Sequence, residues 1–536
     1  MRELTLKAMF VAALDRFGSR PAVHDRGISR SYAQIVVEAN QLAHRLRDAG
    51  VGPGVGVALM MSNRAEYVVA DQAVIRCGAV KVPLNDMLSF NDIDHILRDS
   101  GARVVIADAE MLTQVLRTTA PQVELIIATE APADAPDRVV GWNDALAGQS
   151  VTAPDIDPAP TDLGMIMYTG GTTGRPKGVM HTQQGLTLNL LAHVIEMGLL
   201  DDERVLLTTP LPHSAGFLLQ AGMLKGACHY LESKFDAESV LERMAVDRVT
   251  FTFMVPTMIY RVLDHAADRD FDVSSIRTIL YGAAPITPER LHQGLERFGP
   301  VFMQLYGQSE APNFLTRLRR EDHRADTDRL ASCGQAATMS TVKVVDSAGR
   351  ELLPGEVGEI IALTPYTFSG YRDLSEQTEK ALRDGWLYTG DIGRIDDDGF
   401  VYLLDRKNDM VITGGMNVYC TEVERIVATC RGVADVAVVG IPHPDWGEAV
   451  VAFVVPEDGA VVDESELLAV CRAELARYKQ PKAIRVVDTV PTTSYGKHDK
   501  KALRASWPGW GLNSDSAPSA SAEIQSHCAG PSRGWR

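Results

Sequence analysis

Tyr168-Thr-Gly-Gly-Thr-Thr-Gly-Arg-Pro-Lys-Gly178 is the stretch on which the reading of this chain turns. It follows a short apolar run, Met165–Met167, with the character of a buried strand. Gly170, Gly171 and Gly174 let the backbone turn tightly and bring N–H groups close to a ligand. Thr169, Thr172 and Thr173 add hydroxyl donors, and Lys177 adds a positive charge. Donors at this density, directly after a strand, suit a polyphosphate better than they suit a plain polar loop. The stretch is not a Walker A loop, because G-x-x-x-x-G-K-[ST] cannot be threaded through it.

On both sides of this loop the chain alternates helical and strand patterns. Ile35, Ala39, Leu42 and Leu46 mark an amphipathic helix ending near Gly50, and Val55–Met61 reads as a buried strand. A helix over Ala65–Cys77 and short strands at Val104–Ala107 and Leu125–Ala128 follow. The alternation continues through Val205–Thr208, Thr250–Val255, Thr278–Tyr281 and Val301–Leu305. It predicts sheets covered by helices, with ligands at the carboxyl ends of the strands. Gly355–Leu363 and Gly399–Leu404 read as antiparallel strands instead. From Val433 a smaller α+β unit is predicted, with strands Val436–Ile441 and Ala449–Val455. Its helix Glu464–Tyr478 turns Leu467, Leu468, Cys471 and Leu475 inward. The charged run Asp405-Arg406-Lys407-Asn408-Asp409 reads as a linker between the two regions. The Ser-, Ala-, Gly- and Pro-rich end from about Ser506 cannot bury much and reads as a disordered tail.

Composition narrows the function. A chain of 536 residues is too long for a single binding module and predicts several domains. With 53 Lys and Arg against 70 Asp and Glu, the net charge of −17 argues against nucleic acid and an anionic membrane as main partners. A small anionic substrate remains open, because a site can be locally positive on an acidic protein. The seven scattered cysteines contain no C-x-x-C pair, which argues against a zinc ribbon or disulfide framework and for a reducing compartment. Leu6, Met9, Phe10, Ala13, Leu14 and Phe17 mark one helix face rather than a leader, and no apolar stretch has the ~18 residues of a membrane span. A cytoplasmic location is the expectation.

Further motifs follow in order: Pro210-Leu-Pro-His213, Tyr281-Gly-Ala-Ala-Pro285, Tyr306-Gly-Gln-Ser-Glu310, Tyr388-Thr-Gly-Asp391, Gly414-Gly415 and Pro491-Thr-Thr-Ser-Tyr-Gly-Lys497. Singly, each has a bland reading as a turn, a core histidine, a helix-start carboxylate or a solvated lysine. Together with the glycine loop they resemble the acyl-adenylate-forming enzymes over roughly residues 10–505. That family includes acyl-CoA synthetases, peptide-synthetase adenylation domains and firefly luciferases. The resemblance implies an α/β and α+β fold. A large N-terminal adenylation region over 1–404 holds several subdomains, β/α sheets plus a small β-barrel-like part. A hinge at 405–409 leads to a small mobile α+β domain over 410–505, and the tail covers 506–536.

The resemblance also implies roles. Thr169, Gly170, Gly171, Thr172, Thr173, Gly174 and Lys177 would hold the phosphates of ATP, although Gly171 replaces the family's usual serine. His213 would line the acid pocket, and Gly282, Ala283 and Ala284 would hold adenine against their backbone. Tyr306 and Gly307 would pack on the base, Ser309 would reach the α-phosphate, and Glu310 would hold Mg²⁺. Asp391 would bind the ribose hydroxyls and Arg406 the nucleotide. Asn408 falls on the hinge position, where the family commonly has Asp or Lys. Gly414 and Gly415 would swing into the site for the second step, and Lys497 would be the catalytic lysine.

The implied reaction joins a carboxylate to AMP with release of pyrophosphate, then transfers the acyl group to the thiol of CoA. A carrier protein, or nitrite activated for attack by an amine, are the alternatives, and an inactive nucleotide-binding regulator is a remote one. The pocket segments around His213–Phe217, Phe251–Met254, Leu280–Ala284, Met303–Leu305 and Ala331–Gln335 are mainly apolar. They offer no aspartate for an α-ammonium, which favours a fatty or aromatic acid.

Overall fold

The spacing of Ile35, Ala39, Leu42 and Leu46 produces a helix over Tyr32–Asp48, with all four side chains buried. The Ser31 hydroxyl accepts from the Gln34 N–H while the Gln34 side chain accepts from the Ser31 N–H. This reciprocal cap satisfies two donors that a helix start otherwise leaves orphaned. The apolar run after Gly50 becomes strand Gly56–Met60, buried at every position, as a strand covered on both faces must be. The computed structural model that places these elements describes residues 4–169, 175–266, 269, 271–284, 286–324, 328–407, 409–457, 459–493 and 498–510. They divide into a larger unit over 4–407 and 492–493 and a smaller one over 409–491 and 498–510.

Among the described residues the larger unit carries sheets of eight, nine and five strands. In the eight-stranded sheet, Leu125–Ala128, Val104–Ala107, Gly56–Met60, Val80–Leu84 and Leu163–Thr169 run parallel. Lys177–Thr182 and then Gly370–Tyr371 extend it in the antiparallel sense. In the nine-stranded sheet, Cys228–Leu231, Arg204–Leu207, Phe251–Met254, Thr278–Tyr281 and Phe302–Gln308 run parallel, and Ala311–Leu318 returns antiparallel. Helices Ala65–Arg76 and Gly216–Lys225 are buried almost all round, which requires cover on both sides. One apolar core joins Val57, Leu59, Met165 and Met167 of the first sheet to Val205, Leu207, Phe251 and Phe253 of the second. The expected β-barrel-like part is a five-stranded antiparallel sheet built on Gly358–Leu363 and Trp386–Ile395.

Two boundaries differ from the sequence reading in ways that matter. Strand Phe302–Gln308 runs past Leu305 because its antiparallel partner Ala311–Leu318 continues the ladder. Ser309 and Glu310 therefore form a hairpin turn rather than a helix start. Asp405 and Arg406 are not linker but the end of strand Val401–Arg406, paired with Ile392 and Asp391.

The smaller unit is a five-stranded sheet covered on both faces. Helices Cys420–Ala428 and Glu464–Glu474 cover one face, burying Val423, Val427, Leu467 and Cys471. The second helix stops short of the expected Tyr478, because Leu475 is already extended and the Gln480 side chain takes its carbonyl. On the other face Trp507 packs edge-on against Phe453, and Trp510 donates its indole N–H to the Pro442 carbonyl at 2.7 Å. The packed unit thus includes the first residues of the expected tail. Residues from 511 lie outside the description.

Candidate active site

Two antiparallel strands flank the glycine-rich stretch. Strand Leu163–Thr169 enters it and Lys177–Thr182 leaves it antiparallel, with Thr169 opposite Lys177 and Tyr168 opposite Gly178. Thr169 and Lys177 are thereby face to face at its base. Gly170, Gly171, Thr172, Thr173 and Gly174 lie outside the described residues. A Cβ on Gly178 would stand 2.9 Å from Ile166 Cγ2, so the hairpin closes only with glycine there. Helix Phe90–Ser100 ties both flanks: His95 Nε2 donates to the Pro176 carbonyl at 3.0 Å, and the Tyr168 hydroxyl donates to Asp99. His95 and Asp99 are one helical turn apart and share a face.

The second hairpin, Phe302–Gln308 and Ala311–Leu318, carries the Tyr306–Glu310 motif. Its ladder shifts register at Gly307, where a Cβ would lie 2.7 Å from the backbone of Asn313. Asn313 itself has φ +67°, a conformation asparagine tolerates better than most residues. The turn is held from outside. The Tyr371 hydroxyl donates to Glu310 Oε1 at 2.6 Å, and the Phe368 N–H donates to the Glu310 carbonyl at 2.7 Å. Burial, reinforced by the facing carboxylate, pushes the Tyr371 hydroxyl up, so it remains a donor. His181 Nε2 donates to the Ser309 carbonyl at 2.8 Å. Lys177 Nζ stands 5.4 Å from the centre of the Tyr371 ring. Lys177, Ser309 and Glu310 are therefore gathered in one place from strands far apart in sequence.

Asp391 anchors the opposite end of the same motif. Its buried carboxylate accepts from the Tyr306 hydroxyl at 2.6 Å and from Gln308 Nε2 at 2.7 Å. Arg406 lies opposite Asp391 on the neighbouring strand, with Nε 3.3 Å from Oδ1. Gln308 also donates to the Thr389 carbonyl at 2.9 Å. Gly282 abuts the next strand so closely that a Cβ would meet Leu305 at 2.6 Å. Ala283 follows with φ +68°, and the exposed Ala283 and Ala284 leave the turn's backbone open beside Tyr306.

His213 sits in the irregular turn Leu211–Ala215, off helical geometry at φ −113° and ψ −147°, with Nε2 2.9 Å from Asn85 Nδ2. It lines a cleft with Pro83, Met167, Tyr168 and Pro212. The acid-pocket segments Phe251–Met254, Leu280–Ala284 and Met303–Leu305 belong to adjacent strands, and Phe251, Phe253, Leu280, Met303 and Leu305 are core side chains. Buried Asn63 fixes the segment leading to His213. Its Nδ2 donates to the carbonyls of Thr209 at 2.9 Å and Glu232 at 3.1 Å, and its Oδ1 accepts from Leu211 N–H at 2.9 Å. In the smaller unit, Gly414 and Gly415 form the turn between Val411–Thr413 and Met416–Val418, both at positive φ. The Gly414 N–H donates to the Trp446 carbonyl at 2.8 Å. Asn408 and Lys497 lie outside the described residues.

Sequence reasoning missed Asn63, Asn85, His95, Asp99, His181 and Tyr371 as builders of this site. The available signals were polar residues just past the carboxyl ends of buried strands, at Asn63 and Asn85, and, at His95 and Asp99, a polar pair four residues apart on a helix whose apolar face is Ile93, Ile96 and Leu97.

The model of the AMP-binding enzyme family matches residues 10–372, and that of the AMP-binding enzyme C-terminal domain matches 422–497. The chain belongs to the AMP-binding enzymes. This is the acyl-adenylate-forming superfamily that the motifs resemble. The chain is 37% identical over 517 residues to the medium/long-chain-fatty-acid–CoA ligase FadD8 of Mycobacterium tuberculosis, covering 94% of this chain and 90% of that one. It is 38% identical over 488 residues to a feruloyl-CoA synthase of Amycolatopsis, covering 90% and 95%. The ATP-bound crystal structure of MatB from Rhodopseudomonas palustris superposes with a TM-score of 0.85 at 30% identity, covering 94% of this chain and 98% of that one. AMP-binding enzymes of this kind are ATP-dependent and adenylating.

Two consequences of this AMP-binding enzyme's geometry are measurable. Asn63→Asp replaces a donor facing two carbonyls at about 3 Å with an acceptor, so unfolding free energy should fall by about 3 kcal/mol in urea titration. Burial holds His181, His193, His229 and His323 down to about 4 each. In the unfolded chain such groups titrate near 6.5, so between these values the unfolded state binds more protons. Stability should be full above pH 6.5 and fall progressively towards pH 4, with His193→Asn flattening the slope of the unfolding midpoint against pH.

Proposed function

We propose that this chain is an ATP-dependent acid–thiol ligase that converts a fatty or aromatic carboxylic acid to acyl-AMP and then to its CoA thioester. The observation that carries this reading is the Tyr306–Glu310 hairpin, held by Asp391 at one end and by Tyr371 beside Lys177 at the other. A carboxylate is a poor acyl donor because its leaving group would be oxide. Attack of its oxygen on the α-phosphate of ATP breaks the bond to the β-phosphate, releases pyrophosphate and leaves an acyl group on AMP. The thiol then adds to the acyl carbon, loses its proton and displaces AMP.

The residues divide this work. Gly282, Ala283 and Ala284 present an open backbone turn for adenine beside Tyr306, and Asp391 with Arg406 takes the ribose. Thr169 and Lys177, with the loop between them, take the phosphates, and Lys497 supplies charge to the α-phosphate as the acid approaches. Among the described residues no group of three or more His, Cys, Asp and Glu is placed to hold a metal. A metal here would rest on one carboxylate plus phosphates, the habit of Mg²⁺. Glu310 fits, since its Oε2 has no hydrogen-bond partner among the described residues. When bound there, Mg²⁺ neutralises phosphate charge. His213 borders the acid, and the apolar segments behind it suit the aliphatic and aromatic acids named for the relatives.

The two steps need different surroundings for one acyl group, so we assign Asn408 as the hinge about which the small domain moves, withdrawing Lys497 and presenting Gly414–Gly415. A cytoplasmic location is supported by the free thiols of the six cysteines among the described residues, where also no helix is long and apolar enough to cross a membrane.

The test is AMP release with ATP, Mg²⁺, CoA and a panel of medium- and long-chain fatty acids and hydroxycinnamic acids. AMP and thioester should appear together for at least one acid. AMP that depends on acid but not on CoA would point to a carrier protein or another acceptor, and silence with every acid would sink the reading. Lys497→Ala should lower adenylate formation at least ~100-fold, the scale of a lost transition-state charge contact, and leave thioester formation from pre-made acyl-AMP intact.

A further inference from the structure

The segment 368–372 is laced into the site from both sides. Gly370 and Tyr371 pair antiparallel with Met180 and Val179, so Tyr371 is diagonal to Lys177 across the ladder. The Ser369 N–H donates to the Met180 carbonyl and the Arg372 N–H to the Gly178 carbonyl, each at 2.8 Å. The Phe368 N–H reaches the Glu310 carbonyl, and the Phe368 and Tyr371 rings meet edge to face at 4.9 Å. Gly370 bends the backbone at φ +138°, and the Tyr371 N–H is taken by Thr378 Oγ1 at 2.9 Å. Tyr371 has little freedom to move.

From that fixed place the side chain touches two groups of opposite charge. Its hydroxyl holds one oxygen of the Glu310 carboxylate at 2.6 Å, and its ring face lies 5.4 Å beneath the Lys177 ammonium. A hydroxyl donor on Oε1 fixes the carboxylate plane and leaves Oε2 open. A cation over the ring is held without spending any of its three N–H donors. Lys177 and Glu310 thus come together without closing into a direct ion pair that would cancel both.

We propose that Tyr371 is a positioning residue of the nucleotide site, its hydroxyl orienting Glu310 for a divalent cation and its ring holding Lys177 ready for phosphate. This rests on the reading of Glu310 and Lys177 given above. It separates from a packing role because Tyr371→Phe keeps the ring, its contact with Phe368 and its place under Lys177, and removes only the hydroxyl. Tyr371→Leu removes the ring as well.

The experiment is calorimetric ATP binding to the full chain across a Mg²⁺ series, without acid or thiol, for the native protein and the variants Tyr371→Phe, Tyr371→Leu and Glu310→Gln. Tyr371→Phe should raise the half-saturating Mg²⁺ about tenfold, the scale of one hydrogen bond to a charged group. Tyr371→Leu should in addition weaken ATP binding without Mg²⁺. A Mg²⁺ response of Tyr371→Phe equal to the native one overturns the proposal, even if the unfolding midpoint falls. If Glu310→Gln also keeps the native response, the reading of Glu310 fails with it. If only Glu310→Gln loses the response, Tyr371 alone is wrongly assigned.

Discussion

The constraint on which the site depends is the approach of Gly307 to the backbone of Asn313 inside one hairpin. A Cβ there would lie 2.7 Å from that backbone, and on either side of the register shift Tyr306 and Gln308, two residues apart on one face, both reach Asp391 while Glu310 lies in the turn. One strand and its turn thus join the cluster around Asp391 to the cluster around Glu310. Asn313 accepts a left-handed backbone to make this possible, and the buried His193 ring holds its side chain at 2.9 Å.

Around that strand the site is assembled from edges. Each large sheet is parallel through most of its width, and parallel strands leave their loops together at the carboxyl ends. Each then ends in an antiparallel hairpin, Leu163–Thr169 with Lys177–Thr182 and Phe302–Gln308 with Ala311–Leu318, and the two hairpins carry the two motifs richest in polar groups. His181 joins them through the Ser309 carbonyl. Because the ring is fully buried and neutral at pH 7, it makes that link without adding charge beside Lys177 and Glu310.

Much of this was legible in the sequence. Val104–Ala107, Leu125–Ala128 and Thr278–Tyr281 appear with the expected bounds, because short apolar runs between turn signals have one economical use in a β/α alternation. Tyr306, Asp391 and Arg406 converge in space as spaced motifs with complementary chemistry would. What could not be read were strand ends set by a distant partner. Nothing local tells that Phe302–Gln308 outruns Leu305 or that Arg406 pairs with Asp391, since each ladder bond is supplied by a different part of the chain. Tyr371 was invisible for the same reason, because its meaning lies in a contact 61 residues away in sequence.

The charge arithmetic also acquires a sharper form. A net charge of −17 directs attention to local positive groups, yet the structure sets Arg406 against Asp391 and brings Lys177 and Glu310 to one tyrosine. Before ligands arrive the local sum is therefore close to zero, which keeps a protein of this acidity from paying for an exposed cationic patch. On the proposed reading, a divalent ion at Glu310 changes that balance by two units where the phosphates must sit, so nucleotide affinity becomes conditional on the ion rather than permanent. Held apart by a tyrosine ring, Lys177 and Glu310 remain separately usable. A direct ion pair would have to be broken, and its partners desolvated anew, at every turnover.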